Sequence, residues 1–146
     1  MLDEAKGSHF LGVDFSDFDK SVPEWLIRLA SDVLLINIDF VHYKDYGVAW
    51  AKSMIHMFER ITDYFVNTKI RLRNGERYSK KGGIASGSYF TELISSIVNY
   101  ILITYVTLKC QILGDGSVTG TDVARHLEPL GFKVKRQGAP RVITRR

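Results

Sequence analysis

Two aspartates are the residues of this sequence whose type and position best suit chemistry. Asp14 lies in the short apolar stretch 11–15, and Asp115 lies between two glycines, so each is expected at the end of a short strand. If those strands pair side by side, the two carboxylates meet at one end of a sheet. Paired carboxylates with no cation between them suit Mg²⁺ or Mn²⁺. Two such ions can activate an attacking oxygen and stabilise a leaving one in phosphoryl transfer. An aspartate in a turn is also commonly a cap or Asx-turn residue, and that alternative stays open for each.

A glycine-rich loop is the second feature that suits phosphate chemistry. Residues 82–88 read GGIASGS and lead into a long apolar helix. The P-loop pattern GxxxxGK[ST] is absent, so this is not a P-loop. Exposed amides of small residues before a helix can still bind a phosphate or a nucleic-acid backbone. Such loops are also often simple connectors.

Basic residues are concentrated in two segments. Residues 69–81 hold six Lys or Arg against the single Glu76, and residues 129–146 hold six with no acidic residue. Such segments are plausible phosphate contacts, and Arg71, Arg77 and Lys81 are the candidates. A solvated surface and a frayed tail are the alternative.

The spacing of the apolar residues, together with the Gly and Pro residues that interrupt it, predicts the elements that would position these residues. Asn74-Gly75, between alternating residues, predicts a hairpin, and Gly131 predicts a helix end. A further helix is expected to begin with Ser21 or Val22 at its cap and Pro23 early in its first turn. In chain order the sequence predicts strand 11–15, helix 21–37, helix 46–66, hairpin 70–78, helix 89–107, strand 110–113, helix 122–130 and strand 132–134. This order favours an α+β fold, with helices packed on one face of a small antiparallel sheet.

Composition sets the class of molecule. The 146 residues carry a net charge of +4, and 45% hydrophobic with 12% aromatic residues exclude a disordered chain. A single cysteine, Cys110, excludes a disulfide framework and a Cys-rich zinc site, and fits a reducing compartment. No secretory signal is visible at the N-terminus, so a cytoplasmic location is expected. Polar residues interrupt the apolar stretch 97–113, so we expect a buried helix running into a strand rather than a membrane span.

Taken together, three segments resemble the motifs of a known family. Residues 14–23 (DFSDFDKSVP) are similar to motif A of viral RNA-directed RNA polymerases, residues 81–91 (KGGIASGSYFT) to motif B, and residues 113–117 (LGDGS) to motif C. Their order matches, and so does the hairpin between the first two. The resemblance covers about residues 11–118 and is closest to the polymerases of partitiviruses and related double-stranded RNA viruses.

The resemblance implies an activity and its participants. The reaction would be template-directed nucleotidyl transfer from nucleoside triphosphates to an RNA 3′ end, with Mg²⁺ or Mn²⁺, an RNA template and a primer. Where part of an intact virus, the chain would be virion-associated. The resemblance also implies roles for individual residues. Asp14 and Asp115 would be metal ligands, Asp19 would contact the ribose hydroxyl, and Thr91 would support that contact. Ser95 and Asn99 would be candidate partners of the motif A aspartate, and Ser86 and Gly87 would form the mobile template loop. Residues 132–135 would be a piece of motif D, with Lys133 or Lys135 as its general acid.

The sequence also departs from the family pattern. Gly116 stands where the second motif C aspartate is usual, Ser95 where an Asn is common, and Ala85 where Pro is common. We expect residues 1–146 to form a single partial palm domain without fingers and thumb, with motif A at 11–23, motif B at 81–99, motif C at 111–118 and a basic tail at 129–146. Two alternatives to an active polymerase stay open. One is a truncated or endogenised viral relic with at most weak RNA binding, and the other is a host-adapted RNA-binding or decoy module.

Overall fold

The computed structural model describes residues 12–39, 50–80, 82–85, 87–114 and 117–135. These residues form helices and two short antiparallel sheets, so the predicted α+β class is confirmed at this level. The elements are β1 (Phe15–Ser16), α1 (Phe18–Ser21), α2 (Glu24–Ile36), α3 (Ala51–Val66), β2 (Lys69–Arg71), β3 (Arg77–Ser79), α4 (Thr91–Leu113), α5 (Gly120–Leu127), a 3₁₀ turn (Glu128–Leu130) and β4 (Lys133–Val134). Two compact units contain them: Met1–Phe18 with Ile103–Arg146, and Asp19–Leu102.

In the first unit, β1 pairs antiparallel with β4. Phe15 lies opposite Val134, and Ser16 lies opposite Lys133. Helix α5 packs against β4, after a left-handed Gly131 (φ +95°) ends the helical segment as predicted. Buried side chains of this unit are Val106, Cys110, Val123, Leu127 and Phe132.

In the second unit, α2 packs against α3, and β2 pairs with β3 as a hairpin. The hairpin confirms the Asn74-Gly75 prediction, since Gly75 adopts φ +88° in its turn. The end of α2 at Asn37 also agrees with the sequence. Buried side chains include Val22, Leu26, Ile27, Ala30, Phe65, Val66, Ile84, Ile94, Val98 and Leu102.

The start of α2 differs from the prediction. Ser21 ends the separate turn α1, and neither Ser21 nor Val22 is the cap. Pro23 holds that position in an extended conformation, and its carbonyl accepts the N–H groups of Leu26 and Ile27. Proline has no N–H to satisfy, so it is tolerated at a helix start.

Residues 110–113 form the largest correction to the predicted elements. The sequence predicts a strand there, but α4 continues through Leu113 and ends at Gly114 (φ +83°). A four-residue apolar run cannot by itself distinguish strand from helix. Cys110 also completes a buried line at every fourth position, made of Ile94, Val98, Leu102, Val106 and Cys110, so these residues fit the helical repeat.

Other predicted boundaries shift by a few residues. The expected strand 11–15 is observed as Phe15–Ser16, while helix 122–130 is observed as α5 followed by the 3₁₀ turn. Helix 46–66 is observed from Ala51, and residues 46–49 lie outside the described part of the chain.

Helix α4 is the one described helix that is long and apolar enough to cross a membrane. Its 23 residues span about 35 Å, which exceeds the roughly 30 Å of a bilayer core. A core helix of a soluble protein meets the same two criteria. The absence of a membrane span therefore stays a prediction.

Candidate active site

Asp14 forms an ion pair with Lys135. The Nζ atom of Lys135 lies 2.8 Å from Oδ2 of Asp14, and both side chains are 54% exposed. The backbone N–H of Lys135 also donates to the carbonyl of Asp14 at 2.8 Å. Two hydrogen bonds, one from the backbone and one from the side chain, therefore hold an ammonium group on the first candidate catalytic carboxylate.

The β1–β4 pairing brings these two residues together. Asp14 directly precedes β1 and Lys135 directly follows β4, so the antiparallel register places them opposite each other. Three aromatic rings support the pairing. Phe15 and Phe18 have centroids 5.4 Å apart, and each lies 6.1 Å from the ring of Phe132, which is fully buried. Such clusters add stability beyond the area they bury, so the strand ends are held firmly.

Helix α5 leads the chain into β4 through a well-formed start. The Thr119 side chain accepts the N–H of Asp122, and the Asp122 side chain accepts the N–H of Thr119. This capping box lowers the pKa of Asp122, since the hydrogen bonds from Thr119 favour its charged form. The N–H of Phe132 then bonds to the carbonyl of Leu127 and directs Phe132 into the core.

In the second unit, the glycine-rich loop is bonded to the backbone around Asp19. The N–H of Ile84 donates to the carbonyl of Asp19 at 2.6 Å, and the N–H of Gly83 donates to the carbonyl of Val22 at 2.7 Å. Gly82 and Gly83 adopt φ of +84° and +75°, a region that favours glycine. A Cβ on Gly83 would stand 2.9 Å from the carbonyl oxygen of Asp19, so the close approach also requires glycine.

The same loop is bonded at its other end to the start of α4. The Thr91 hydroxyl donates to the carbonyl of Ala85. A backbone hydrogen bond thus links Asp19 to Ile84, and a side-chain hydrogen bond links the next residue, Ala85, to Thr91. The structure therefore connects the two residues that the resemblance assigns to the ribose, Asp19 and Thr91, through residues 84–85.

Three of the predicted site residues share one side of α4. Thr91, Ser95 and Asn99 recur at every fourth position, which places them on the same helix face. Thr91 and Ser95 are half-buried, whereas Asn99 is exposed. Ser95 and Asn99 thus lie one helical turn apart, in line with Thr91.

Two of the three candidate phosphate contacts are brought face to face. Arg71 and Arg77 are cross-strand partners in the hairpin, and both are exposed. Lys81, the third candidate, lies outside the described residues, as do Ser86 of the template loop, Asp115 and Gly116. Gly87 adopts φ +86° with open space around it.

Comparison with known proteins identifies the family. The family model described as viral RNA-dependent RNA polymerase matches residues 2–121. The chain belongs to that family. It is also 34% identical over 97 residues to a protein of Cryptosporidium parvum virus 1 (strain KSU-1) named RNA-directed RNA polymerase. The aligned stretch covers 66% of this chain and 16% of that relative, so the chain corresponds to a small part of the relative's length. No solved structure matches.

The matched residues enclose the three segments singled out above, 11–23, 81–99 and 111–118. Of the two expected metal ligands, Asp14 is among the described residues and Asp115 is not. Across the described residues, no group of three or more His, Cys, Asp or Glu side chains is arranged to hold a metal ion. Asp14 supplies one hard oxygen ligand, and Lys135 already contacts its Oδ2 atom. Asp14 is thus the one carboxylate, of the two to which the resemblance assigns metal binding, that the structure describes.

Sequence reasoning missed the environment of Lys80. Lys80 belongs to the basic segment 69–81, for which the sequence indicates a phosphate contact or a solvated surface, but it is buried, at 9% exposure. Its Nζ lies 5.3 Å from the centroid of the Phe65 ring and donates to the Phe65 carbonyl at 3.4 Å. Burial lowers the pKa of this lysine. No signal in the basic run distinguishes Lys80, because its burial depends on how the end of β3 meets α3.

A second missed feature is the ion pair between α2 and α3. Arg28 donates to Asp63 at 2.7 Å and to Glu24 at 2.9 Å. The hydrogen bond that Arg28 donates to Asp63 is the largest cause of its raised pKa, followed by the one it donates to Glu24. Since all three groups are substantially exposed, we expect the pair to orient the two helices more than to stabilise them.

Proposed function

We propose that this chain carries the catalytic and nucleotide-selecting motifs of a viral RNA-directed RNA polymerase. The reaction would be transfer of a nucleotide from a nucleoside triphosphate to an RNA 3′ end, copied from an RNA template. The observation that carries the proposal is the family match over residues 2–121, which encloses all three motifs. The proposal includes palm-like packing and kinship with the polymerases of partitiviruses, and the lone cysteine fits a reaction in the reducing cytoplasm.

Asp14 is the central residue of the proposed site. With Asp115 it would hold Mg²⁺ or Mn²⁺, which when bound would activate the attacking hydroxyl and stabilise the leaving pyrophosphate. Phosphoryl transfer depends mainly on positioning and on neutralising charge, so few other groups are required. The Asp14 carboxylate stands beside a strand that the Phe15, Phe18 and Phe132 rings hold in place.

Lys135 is our choice for the general acid, in preference to Lys133. Its ammonium lies 2.8 Å from the Asp14 carboxylate and holds a proton next to the proposed reacting atoms. Lys133 lies opposite Ser16 in the strand pair, and no ion pair between described residues includes it. The ion pair with Asp14 supports assigning the motif D role to Lys135.

Selection of ribonucleotides is assigned to Asp19 and α4. Asp19 would contact the ribose hydroxyl, and Thr91, Ser95 and Asn99 would support it from one helix face. The hydrogen bonds through Ile84 and Ala85 support this assignment, because they link the Asp19 backbone to the Thr91 hydroxyl. Ser86 and Gly87 would follow the template–nucleotide pair.

The decisive experiment is template-dependent incorporation of labelled nucleotide on a primed RNA, with Mg²⁺ and then Mn²⁺. We expect incorporation that is lost in Asp14→Asn and in Asp115→Ala. Asp32→Asn is the matched control, since it removes one exposed carboxylate from α2, outside all three motifs. Equal incorporation by Asp14→Asn and Asp32→Asn would contradict the proposal.

A non-catalytic relic with weak RNA binding is the second candidate, and Gly116 is the observation that favours it. Gly116 lacks the second carboxylate usual in motif C, and a glycine has more backbone freedom than an aspartate. Gly116→Asp distinguishes the two candidates. Revival of incorporation by this variant alone would place the defect in motif C, whereas inactivity of every variant would favour the relic.

A further inference from the structure

The hairpin β2–β3 is the most exposed regular element of the described chain. Every residue from Lys69 to Ser79 is exposed, so the described part of the chain leaves both faces of the two-stranded ribbon open. An isolated hairpin is at best marginally stable in water. Its persistence here requires local stabilisation, and its bare faces are available to a ligand.

One face of this ribbon is basic. Side chains alternate between the faces of a strand, so Lys69 and Arg71 of β2 share a face with their cross-strand partners Ser79 and Arg77. Arg71 and Arg77 stand directly opposite each other, where side chains approach to about 5 Å and like charges repel. No ion pair among the described residues neutralises Lys69, Arg71 or Arg77.

The other features of the hairpin offset this repulsion. Ile70 lies opposite Tyr78 on the second face, and such aromatic and β-branched pairs stabilise antiparallel strands. In the turn, the Asn74 side chain accepts the N–H of Glu76 and donates to the Glu76 carboxylate at 2.8 Å. Glu76, the one acidic residue of this segment, is therefore engaged at the turn and not with Arg71 or Arg77.

We propose that the face formed by Lys69, Arg71 and Arg77 binds the phosphate backbone of single-stranded RNA, through side chains to which no catalytic role is assigned. Two arginines held opposite each other against their mutual repulsion suit a polyanion, because its phosphates neutralise the two positive charges. Binding also releases the counterions condensed on the nucleic acid. Guanidinium groups also bind phosphate through two parallel hydrogen bonds. RNA is the polyanion we choose because the proposed function handles it, and the inference rests on that function for this choice only.

The test is RNA binding by the chain, measured with a labelled single-stranded RNA by fluorescence anisotropy over a series of salt concentrations. Divalent cations are removed with chelator and no nucleotide is added. Under these conditions binding is independent of catalysis. Because neither metal nor nucleotide is present, a failure of the proposed polymerase function and a failure of this proposal give different results.

The test variant is Arg71→Gln with Arg77→Gln, and the matched control is Lys52→Gln with Arg60→Gln. Both doubles remove two exposed positive charges, the control pair from α3. We expect the slope of log K against log[salt] to become shallower by about 1.4 in the hairpin variant, because each phosphate contact to a single strand contributes about 0.7. The control should leave the slope unchanged, and Arg71→Lys with Arg77→Lys should restore most of it.

Unfolding of the same hairpin variant distinguishes binding from structure. Removing the Arg71–Arg77 repulsion should leave the chain at least as stable as the wild type in urea denaturation. Weaker RNA binding without loss of stability supports the proposal. An unchanged salt slope, or an equal change in the α3 control, would overturn it, and so would destabilisation that accounts for the lost binding.

Discussion

At the scale of single residues, Asp14 and Lys135 form an exposed ion pair from which we expect little stability. Both side chains are about half exposed, and such pairs contribute roughly 0–1 kcal/mol because water screens them and ordering the side chains costs entropy. Their contact is fixed by β1–β4 pairing rather than by their own attraction. The position of the ammonium beside the carboxylate is therefore a consequence of the fold.

Replacing Lys135 should separate these two contributions. We expect Lys135→Met to change the unfolding free energy by no more than about 1 kcal/mol. Nucleotide incorporation should fall about a hundredfold or more, since this is the usual contribution of a positioned acid or base. Urea denaturation and primed-RNA incorporation measure the two effects. Lys133→Met is the control, and equal loss of incorporation in both variants would refute the choice of Lys135.

Lys80 gives a prediction of pH dependence. Burial lowers its pKa from the usual 10.5, so on raising the pH the folded state releases this proton before the unfolded state does. The unfolded state then binds more protons, and stability contributed by this group rises with pH up to about the unfolded pKa. Relative to Lys80→Met, the wild type should therefore gain stability as the pH is raised towards 10.5.

Thermal unfolding across the alkaline range measures this gain. Lys52→Met, which replaces an exposed lysine of α3, is the control and should track the wild type at every pH. A wild type that loses stability relative to Lys80→Met as the pH rises would show that Nζ is stabilised in its charged form, by the Phe65 ring and carbonyl.

At the scale of elements, the loop 82–85 is built by glycines at a close approach. Gly83→Ala should destabilise the chain by about 2–3 kcal/mol, from a left-handed φ together with a Cβ 2.9 Å from the Asp19 carbonyl. Gly87→Ala is the matched control, since it has a similar φ of +86° but open space, and should cost only about 1–2 kcal/mol. Chemical denaturation compares them. Equal losses of unfolding free energy in the two variants would mean that the close approach to the Asp19 carbonyl adds nothing to the cost of Gly83→Ala.

Local signals explain which elements the sequence could predict. The turn at Asn74-Gly75 and the helix end at Gly131 could be predicted from the sequence, because each depends only on a glycine that adopts a positive φ. Gly75 has φ +88° and Gly131 has φ +95°. The strand predicted at 110–113 was wrong, because a run of four apolar residues is too short to show a helical or a strand period. The buried line that ends at Cys110 can be recognised only when the whole of α4 is considered.

The candidate site divides in the same way. Asp14 could be proposed from its place at a predicted strand end, whereas Asp19 and the face bearing Thr91, Ser95 and Asn99 could be proposed only from the family motifs. The choice of Lys135 over Lys133 could not, because it depends on a pairing register between residues 121 positions apart. The burial of Lys80 was equally hidden, since it requires knowing where β3 ends against α3.

At the scale of the whole molecule, a large amount of apolar surface faces solvent. On α4 alone the exposed residues include Tyr100, Leu108, Ile112 and Leu113, and Ile112 is 79% exposed. Soluble monomers rarely leave large contiguous apolar patches uncovered.

We therefore expect the isolated chain to self-associate through the C-terminal half of α4. Leu108→Lys with Ile112→Lys should reduce this association, because burying a lysine in an apolar contact is costly. The matched control is Tyr64→Lys with Gln111→Lys, which adds the same charge at exposed positions, one of them on α3 and one on α4 between the two test residues.

Sedimentation velocity over a series of concentrations measures the effect. A wild type that sediments as a monomer at every concentration would refute the expectation. If both double variants reduce association equally, net charge is the cause, and the surface of α4 at Leu108 and Ile112 is not the contact.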